Sequence, residues 1–156
     1  MRLYVIRHGK AERDSASGRD DDRRLTDRGE RQALWLGASL AEAEPPVLLA
    51  HSPIVRARQT AELVLQSLTC PAEVEPLLAT GSAPSDVLRA VQQRESTPSL
   101  AIVGHNPHFE DFVGVMCRGI GAGFRLRTGE MAVLELDPHA APGQAHLLDV
   151  RRLEEE

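Results

Sequence analysis

Three short segments place histidine and arginine beside glycine or proline, each where an apolar run stops. Arg7-His8-Gly9 follows Leu3-Tyr4-Val5-Ile6. His51-Ser52-Pro53 follows Val47–Ala50, with Arg56 and Arg58 a few residues on, and Gly104-His105-Asn106-Pro107 follows Leu100–Val103. An arginine fork matches two oxygens of a phosphate and stays charged at any physiological pH. A neutral imidazole can attack phosphorus, and a protonated ring nitrogen can donate to an oxyanion. Arginines beside His8 would lower its pKa and keep it nucleophilic. Helix starts near Pro53 and Pro107 would aim backbone N–H groups at the same place. Gly9 would let substrate or backbone approach without a side chain in the way. Together these residue types suit a doubly negative tetrahedral group and its transfer.

The elements that must position them follow from periodicity. The apolar runs at 3–6, 47–50, 100–103, 131–136 and 146–150 read as strands, and helical spacing lies between the early ones. Ala33, Leu36, Gly37 and Leu40 share one face of a first helix, which Thr26 can cap with Asp27 and Glu30 near its positive end. Ala57, Ala61, Val64 and Leu68 line a second helix, a short third is predicted at 86–94, and Phe109, Phe112, Val113 and Met116 line a fourth. Asn106-Pro107 reads as a cap followed by proline at the first helical position. Strand–helix alternation predicts a three-layer α/β/α sandwich, mostly parallel, and the short Pro- and Gly-containing link at 137–145 predicts a hairpin that adds an antiparallel edge strand. In such a sheet ligands bind beyond the carboxyl ends of parallel strands, where all three segments fall. The stretches 10–24 and 118–129 read as loops. The expected organisation is one domain over 1–150 followed by a charged, frayed tail at 151–156.

Composition narrows the class. The chain has 156 residues, a net charge of −5, and only 3% aromatics. An acidic balance without a basic, aromatic-interleaved stripe argues against nucleic acid. No run approaches the roughly 20 apolar residues of a membrane span. The chain opens on a strand rather than a signal sequence, and Cys70 and Cys117 read as reduced, partly buried thiols, so the cytoplasm is the expected compartment.

The ordered set of segments resembles the histidine phosphatase superfamily, with its phosphoglycerate-mutase-like fold, and within it the small SixA-type phosphohistidine phosphatases. The resemblance rests on Val5-Ile6-Arg7-His8-Gly9-Lys10-Ala11, Arg24-Leu25-Thr26-Asp27-Arg28-Gly29, Ser52-Pro53-Ile54-Val55-Arg56-Ala57-Arg58-Gln59-Thr60-Ala61, Val103-Gly104-His105-Asn106-Pro107 and Thr128-Gly129-Glu130. It implies that His8 is the nucleophile, that Arg7 and Arg56 grip the phosphate, and that His105 hydrogen-bonds the transferring group. It implies no metal and no cofactor, because arginine and histidine supply the positive charge. Gly9, Asn106 and Arg23 are the expected further substrate contacts. Asn106 also has a structural account as a helix cap, and Arg23 one as a surface ion pair with Asp21 or Asp22.

Larger members carry a glutamate acid and helical lid insertions. Here the corresponding stretch, Val74-Glu75-Pro76-Leu77-Leu78-Ala79-Thr80-Gly81, has no carboxylate at the expected place, and 156 residues leave no room for a lid. Both absences favour a labile phosphoryl group on a protein, so the expected partner is a phosphorylated protein such as a histidine phosphotransfer domain. Glu75 or an aspartate of Asp20-Asp21-Asp22 remains an alternative acid. The competing readings are a phosphomonoesterase acting on a small phosphorylated metabolite, a non-catalytic phosphate-binding module, and a metal hydrolase, whose ligand spacings are missing. Arg58, His108, His139 and His146 read as surface residues, His51 as structural, and Trp35 as core.

Overall fold

The computed structural model describes residues 1–154. Six strands form one sheet: β1 (Arg2–Arg7), β2 (Leu48–His51), β3 (Ala72–Val74), β4 (Ser99–Gly104), β5 (Glu130–Glu135) and β6 (His146–Arg152). Their order across the sheet is β3-β2-β4-β1-β5-β6. β3, β2, β4 and β1 pair in parallel, while β5 is antiparallel to both β1 and β6. The mixed α/β architecture expected above is therefore present, with the antiparallel pairings gathered at one side. The reversed strand is β5, one place in from the edge, and the hairpin expected at 137–145 joins it to β6. The edge strand β3 has no counterpart in the sequence reading, since three exposed residues are too short to show a period. β6 continues through Arg152, two residues into the segment read as a tail. Residues 155–156 of that tail lie outside the described residues.

Among the described residues four helices cover the sheet: α1 (Asp27–Glu42), α2 (Val55–Leu65), α3 (Pro84–Gln92) and α4 (His108–Arg118). The period-2 alternation of β1 divides the core in two. Leu3 and Val5 face a cluster with Val87, Ala90, Phe109, Phe112 and Met116 from α3 and α4. Tyr4 and Ile6 face the other side, with Ala33, Leu36 and Leu40 of α1 and Ala57, Ala61 and Val64 of α2. Trp35 is half-buried against this second cluster. Among the described residues no helix is long and apolar enough to cross a membrane. Both cysteines are free and half-buried.

The helix starts differ from expectation by a residue or two, for local reasons. Thr26 caps α1, its Oγ1 accepting from the Gly29 N–H at 3.1 Å. α2 begins at Val55 rather than Pro53, because Ser52 Oγ accepts from the Ile54 N–H and keeps that residue extended. α4 begins after Pro107, yet Asn106 still serves the cap, its Oδ1 accepting from the Glu110 N–H at 3.2 Å. The loop after β1 is anchored by an Ala11–Leu25 bridge and contains a 3-10 turn at Asp20–Asp22.

Candidate active site

The carboxyl ends of β1, β4 and β2 are neighbours in the sheet, so the three segments converge at one rim. His8 leaves β1 with its backbone still paired: its N–H donates to Gly104 O at 3.0 Å, and its carbonyl accepts from Gly129 N–H at 2.9 Å. The next amide, Gly9 N–H, donates to Thr60 Oγ1 at 3.1 Å, and that hydroxyl donates to Arg56 O at 2.8 Å. Thr60 thus ties the end of β1 to the first turn of α2. The His8 ring is buried, and its Nδ1 lies 2.7 Å from Gly9 O. A carbonyl can only accept, so Nδ1 carries the proton and Nε2 keeps its lone pair. Burial pushes the His8 pKa down to about 4; the Gly9 bond opposes this, and the charges of Arg56, Arg7 and Arg23 add to it. The ring is neutral at physiological pH as expected, but desolvation contributes more than any one of the arginines.

Arg56 is buried, with Nη1 donating to Asp20 O at 2.8 Å and Nη2 to Asp20 Oδ2 at 3.1 Å. Arg7 Nη1 donates to Leu126 O at 3.1 Å. The Nε atoms of both arginines are buried without a hydrogen-bond partner. Such orphan donors are uncommon in folded interiors and suit an anion's oxygens. His105, at the end of β4, puts its ring centroid 5.2 Å from that of His8. Its Nε2 is 2.8 Å from Ser52 Oγ, and its buried Nδ1 has no partner. Burial pushes its pKa down to about 2, with His8 and Arg56 contributing. The arrangement joins a fixed imidazole lone pair, two guanidinium groups and a second imidazole.

Several expected residues do other work. Gly9 backs onto α1 rather than opening space for a ligand: a Cβ there would lie 2.5 Å from Gly29 O, and one on Gly29 would lie 2.2 Å from Lys10 O. Asn106 Nδ2 donates to Leu126 O at 2.7 Å and to Glu110 Oε2 at 2.9 Å, so its side chain is spent on protein partners. It shares the Leu126 carbonyl with Arg7 and meets the site through it. Arg23 reaches the site through Asp20, with Nε 2.9 Å from Asp20 Oδ1, and pairs with neither Asp21 nor Asp22. Glu75 is buried and tied to Arg94 at 3.0 Å. Arg58 is half-exposed beside Glu62 and His139 pairs with Glu95, as surface residues do. His51 is buried, with Nδ1 2.9 Å from Ser52 O. His108 overturns its reading as a surface residue. It is buried, with its ring centroid 6.2 Å from that of His105, because the first turn of α4 packs beneath Gly104 and Leu78.

Sequence reasoning missed Ser52 and Thr60 as site residues. Thr60 stands four residues after Arg56, one helical turn on, and Ser52 stands two before the residue it caps; those spacings were the available signals. It also missed Gln32, whose Oε1 accepts from Lys10 N–H at 2.9 Å. Gly129 turns with φ +67 against that side chain, where a Cβ would lie 2.5 Å from Gln32. Among the described residues no group of three or more His, Cys, Asp or Glu side chains is arranged to hold a metal.

Paired histidines and arginines at the carboxyl ends of neighbouring parallel strands define a phosphate-handling class. Residues 3–80 match the model of the histidine phosphatase superfamily (branch 1), and the chain belongs to that family. Within it the similarity runs to SixA. Phosphohistidine phosphatase SixA of Escherichia coli K12 is 33% identical over 127 residues, covering 76% of each chain. The structure of a protein histidine phosphatase SixA complexed with tungstate superposes with a TM-score of 0.84 at 27% identity, covering 97% of each chain. The alpha-ribazole phosphatase of Shigella flexneri, at 21% identity and a TM-score of 0.71 over 95% of each chain, shares the fold.

Proposed function

We propose that the protein dephosphorylates phosphohistidine on a protein partner through a phosphohistidine intermediate on His8. In the first step Nε2 of His8 attacks phosphorus. The bond from phosphorus to the substrate's imidazole nitrogen breaks as the P–Nε2 bond forms, and the departing imidazole takes a proton from solvent. In the second step water attacks phosphorus, the P–Nε2 bond breaks, and phosphate leaves with His8 regenerated. Arg7 and Arg56 bind the equatorial oxygens, and His105 donates to one of them. The observation that carries this reading is the Nδ1–Gly9 O bond, which holds the His8 ring in one tautomer with Nε2 free. The tungstate bound by the related SixA is a tetrahedral oxyanion and supports a phosphoryl-shaped site.

The choice of a phosphohistidine substrate rests on the carboxylates. Glu75 is held by Arg94, and Asp20 is held by Arg56 and Arg23. Neither is a free acid for a poor alkoxide leaving group, whereas imidazole leaves readily. The two free thiols fit a reducing cytoplasm.

The test is to incubate wild type and His8→Ala with a phosphohistidine-bearing protein and with a panel of phosphomonoesters. Wild type is expected to form a transient acid-labile, alkali-stable phosphoenzyme and to prefer the phosphoprotein. Full activity in His8→Ala would refute the mechanism. Faster turnover of the small esters would move the substrate to a phosphorylated metabolite.

A further inference from the structure

We infer that Ser52 is a positioning residue that fixes His105 in the tautomer able to donate to the phosphoryl group. The inference rests on the reading of the site just given. Ser52 is fully buried, so water does not satisfy its hydroxyl. Its oxygen accepts from the Ile54 N–H at 3.1 Å and lies 2.8 Å from His105 Nε2. A hydroxyl has one proton to give. If Nε2–H donated to Oγ, that proton would have no acceptor, since Ile54 N–H is itself a donor. Buried interiors avoid such an arrangement. With the hydroxyl donating to Nε2, a neutral His105 must carry its proton on Nδ1. That is the buried ring nitrogen left without a protein partner.

The tautomer matters because the ring is neutral. The groups that act on it are His8, Arg56 and His108, which disfavour a charge, and Asp20, which favours one; burial outweighs them all. A neutral ring in the other tautomer would turn a lone pair toward the phosphoryl oxygens and repel them. The same hydroxyl holds the Ile54 N–H at the turn into α2, so one side chain bears on both the entry to the helix that carries Arg56 and the proton on His105. The Ser52–His105 pair is the site's counterpart of the Gly9–His8 pair. Each supplies a fixed group that decides which ring nitrogen bears hydrogen, and the two rings end with opposite functions.

The experiment reads the tautomer directly. Nitrogen-15 imidazole spectra of wild type, with His105 assigned by comparison with His105→Asn, are expected to show a protonated Nδ1 and a bare Nε2 at neutral pH. A proton on Nε2 in wild type would overturn the inference. In Ser52→Ala, kcat is expected to fall about tenfold to a hundredfold with a smaller change in KM, less than the roughly 10²–10³ for outright removal of one oriented donor because part of the ring population still carries Nδ1–H. Ser52→Thr keeps the hydroxyl and is expected to retain Nδ1–H in the spectrum. Wild-type kcat in Ser52→Ala, with Nδ1 still protonated, would leave the contact to the Ile54 N–H as the whole role of Ser52 and overturn the inference. The spectra need no turnover. Failure to trap a phosphoenzyme would therefore refute the His8 mechanism, and a proton on Nε2 would refute this reading of Ser52.

Discussion

The proposed mechanism gives the Arg56 guanidinium to the phosphoryl group, and Asp20 now sits on it, so removing Asp20 gives a sharp test of the site. Asp20→Ala deletes the carboxylate contact to Arg56 Nη2 at 3.1 Å but keeps the backbone one, Asp20 O to Nη1 at 2.8 Å. The carboxylate side chain is 63% exposed, so its attraction to Arg56 is screened and belongs with surface pairs, worth about 0.2–1 kcal/mol. Arg56 is buried, which favours the upper end of that range. An incoming dianion must displace the carboxylate, so its binding is weakened by that amount, at most about fivefold. Asp20→Ala should therefore lower the Ki of inorganic phosphate about two- to fivefold, leave kcat on a phosphohistidine protein within twofold, and lose its effect as salt is raised.

The alternative makes Asp20 the proton donor. Burial opposes its ionisation, but the Arg23 hydrogen bond and the charge of Arg56 outweigh this and hold its pKa below the usual carboxylate value. A group held that firmly as carboxylate is a poor acid at neutral pH. Competitive inhibition by phosphate, with single-turnover kinetics on Asp20→Ala and Asp20→Asn, separates the two roles. A tenfold or greater fall in kcat in both variants, with Ki unmoved, would refute the reasoning and make Asp20 the acid.

Three further outcomes are expected. His8 has a pKa of about 4 when folded against the ordinary 6.5, so between those values only the unfolded chain binds the proton. The His8 contribution to stability should be full above pH 6.5 and fall by about 3 kcal/mol as pH drops toward 4; the difference between wild-type and His8→Asn urea midpoints checks this, and parallel pH profiles would count against it. Asn106→Ala frees the Leu126 carbonyl that anchors Arg7 and removes part of the α4 cap, so a fall in kcat/KM of about tenfold with a stability loss of about 1 kcal/mol is expected; unchanged kinetics would detach Asn106 from Arg7. Gly9→Ala drives a methyl to 2.5 Å from Gly29 O and should cost about 1–3 kcal/mol by thermal melting; an unchanged Tm would show that α1 yields at no cost.

What could be read in the sequence was local or periodic. β1 announces itself by four apolar residues that alternate between two cores, and the stop at Arg7-His8-Gly9 marks where a strand gives way to chemistry. The same logic located His105 and Arg56. Contacts between distant segments were not legible. Gly9 against Gly29, Asp20 on Arg56 and Ser52 on His105 span 20, 36 and 53 residues. Such pairings depend on how the β1–α1 and β2–α2 units dock, which no local spacing encodes. His108 was misread for a related reason. Its neighbours Pro107 and Glu110 look like the polar start of a helix, and only the packing of α4 under the sheet rim turns that position inward.

The loop between β1 and α1 is where the site departs from a rigid phosphate cradle. Arg23, from the same loop, holds Asp20 Oδ1 at 2.9 Å while Arg56 holds Oδ2. On the proposed mechanism a phosphoryl group would take Arg56, and Asp20 would lose one cation and keep the other, which needs no unfolding of the 3-10 turn at Asp20–Asp22. The backbone contact from Asp20 O to Arg56 Nη1 binds that turn to α2 through the carbonyl alone, whatever the side chain does. Both rings are buried, neutral and tied through one nitrogen, so on the proposed mechanism only the anion facing Arg56 would change.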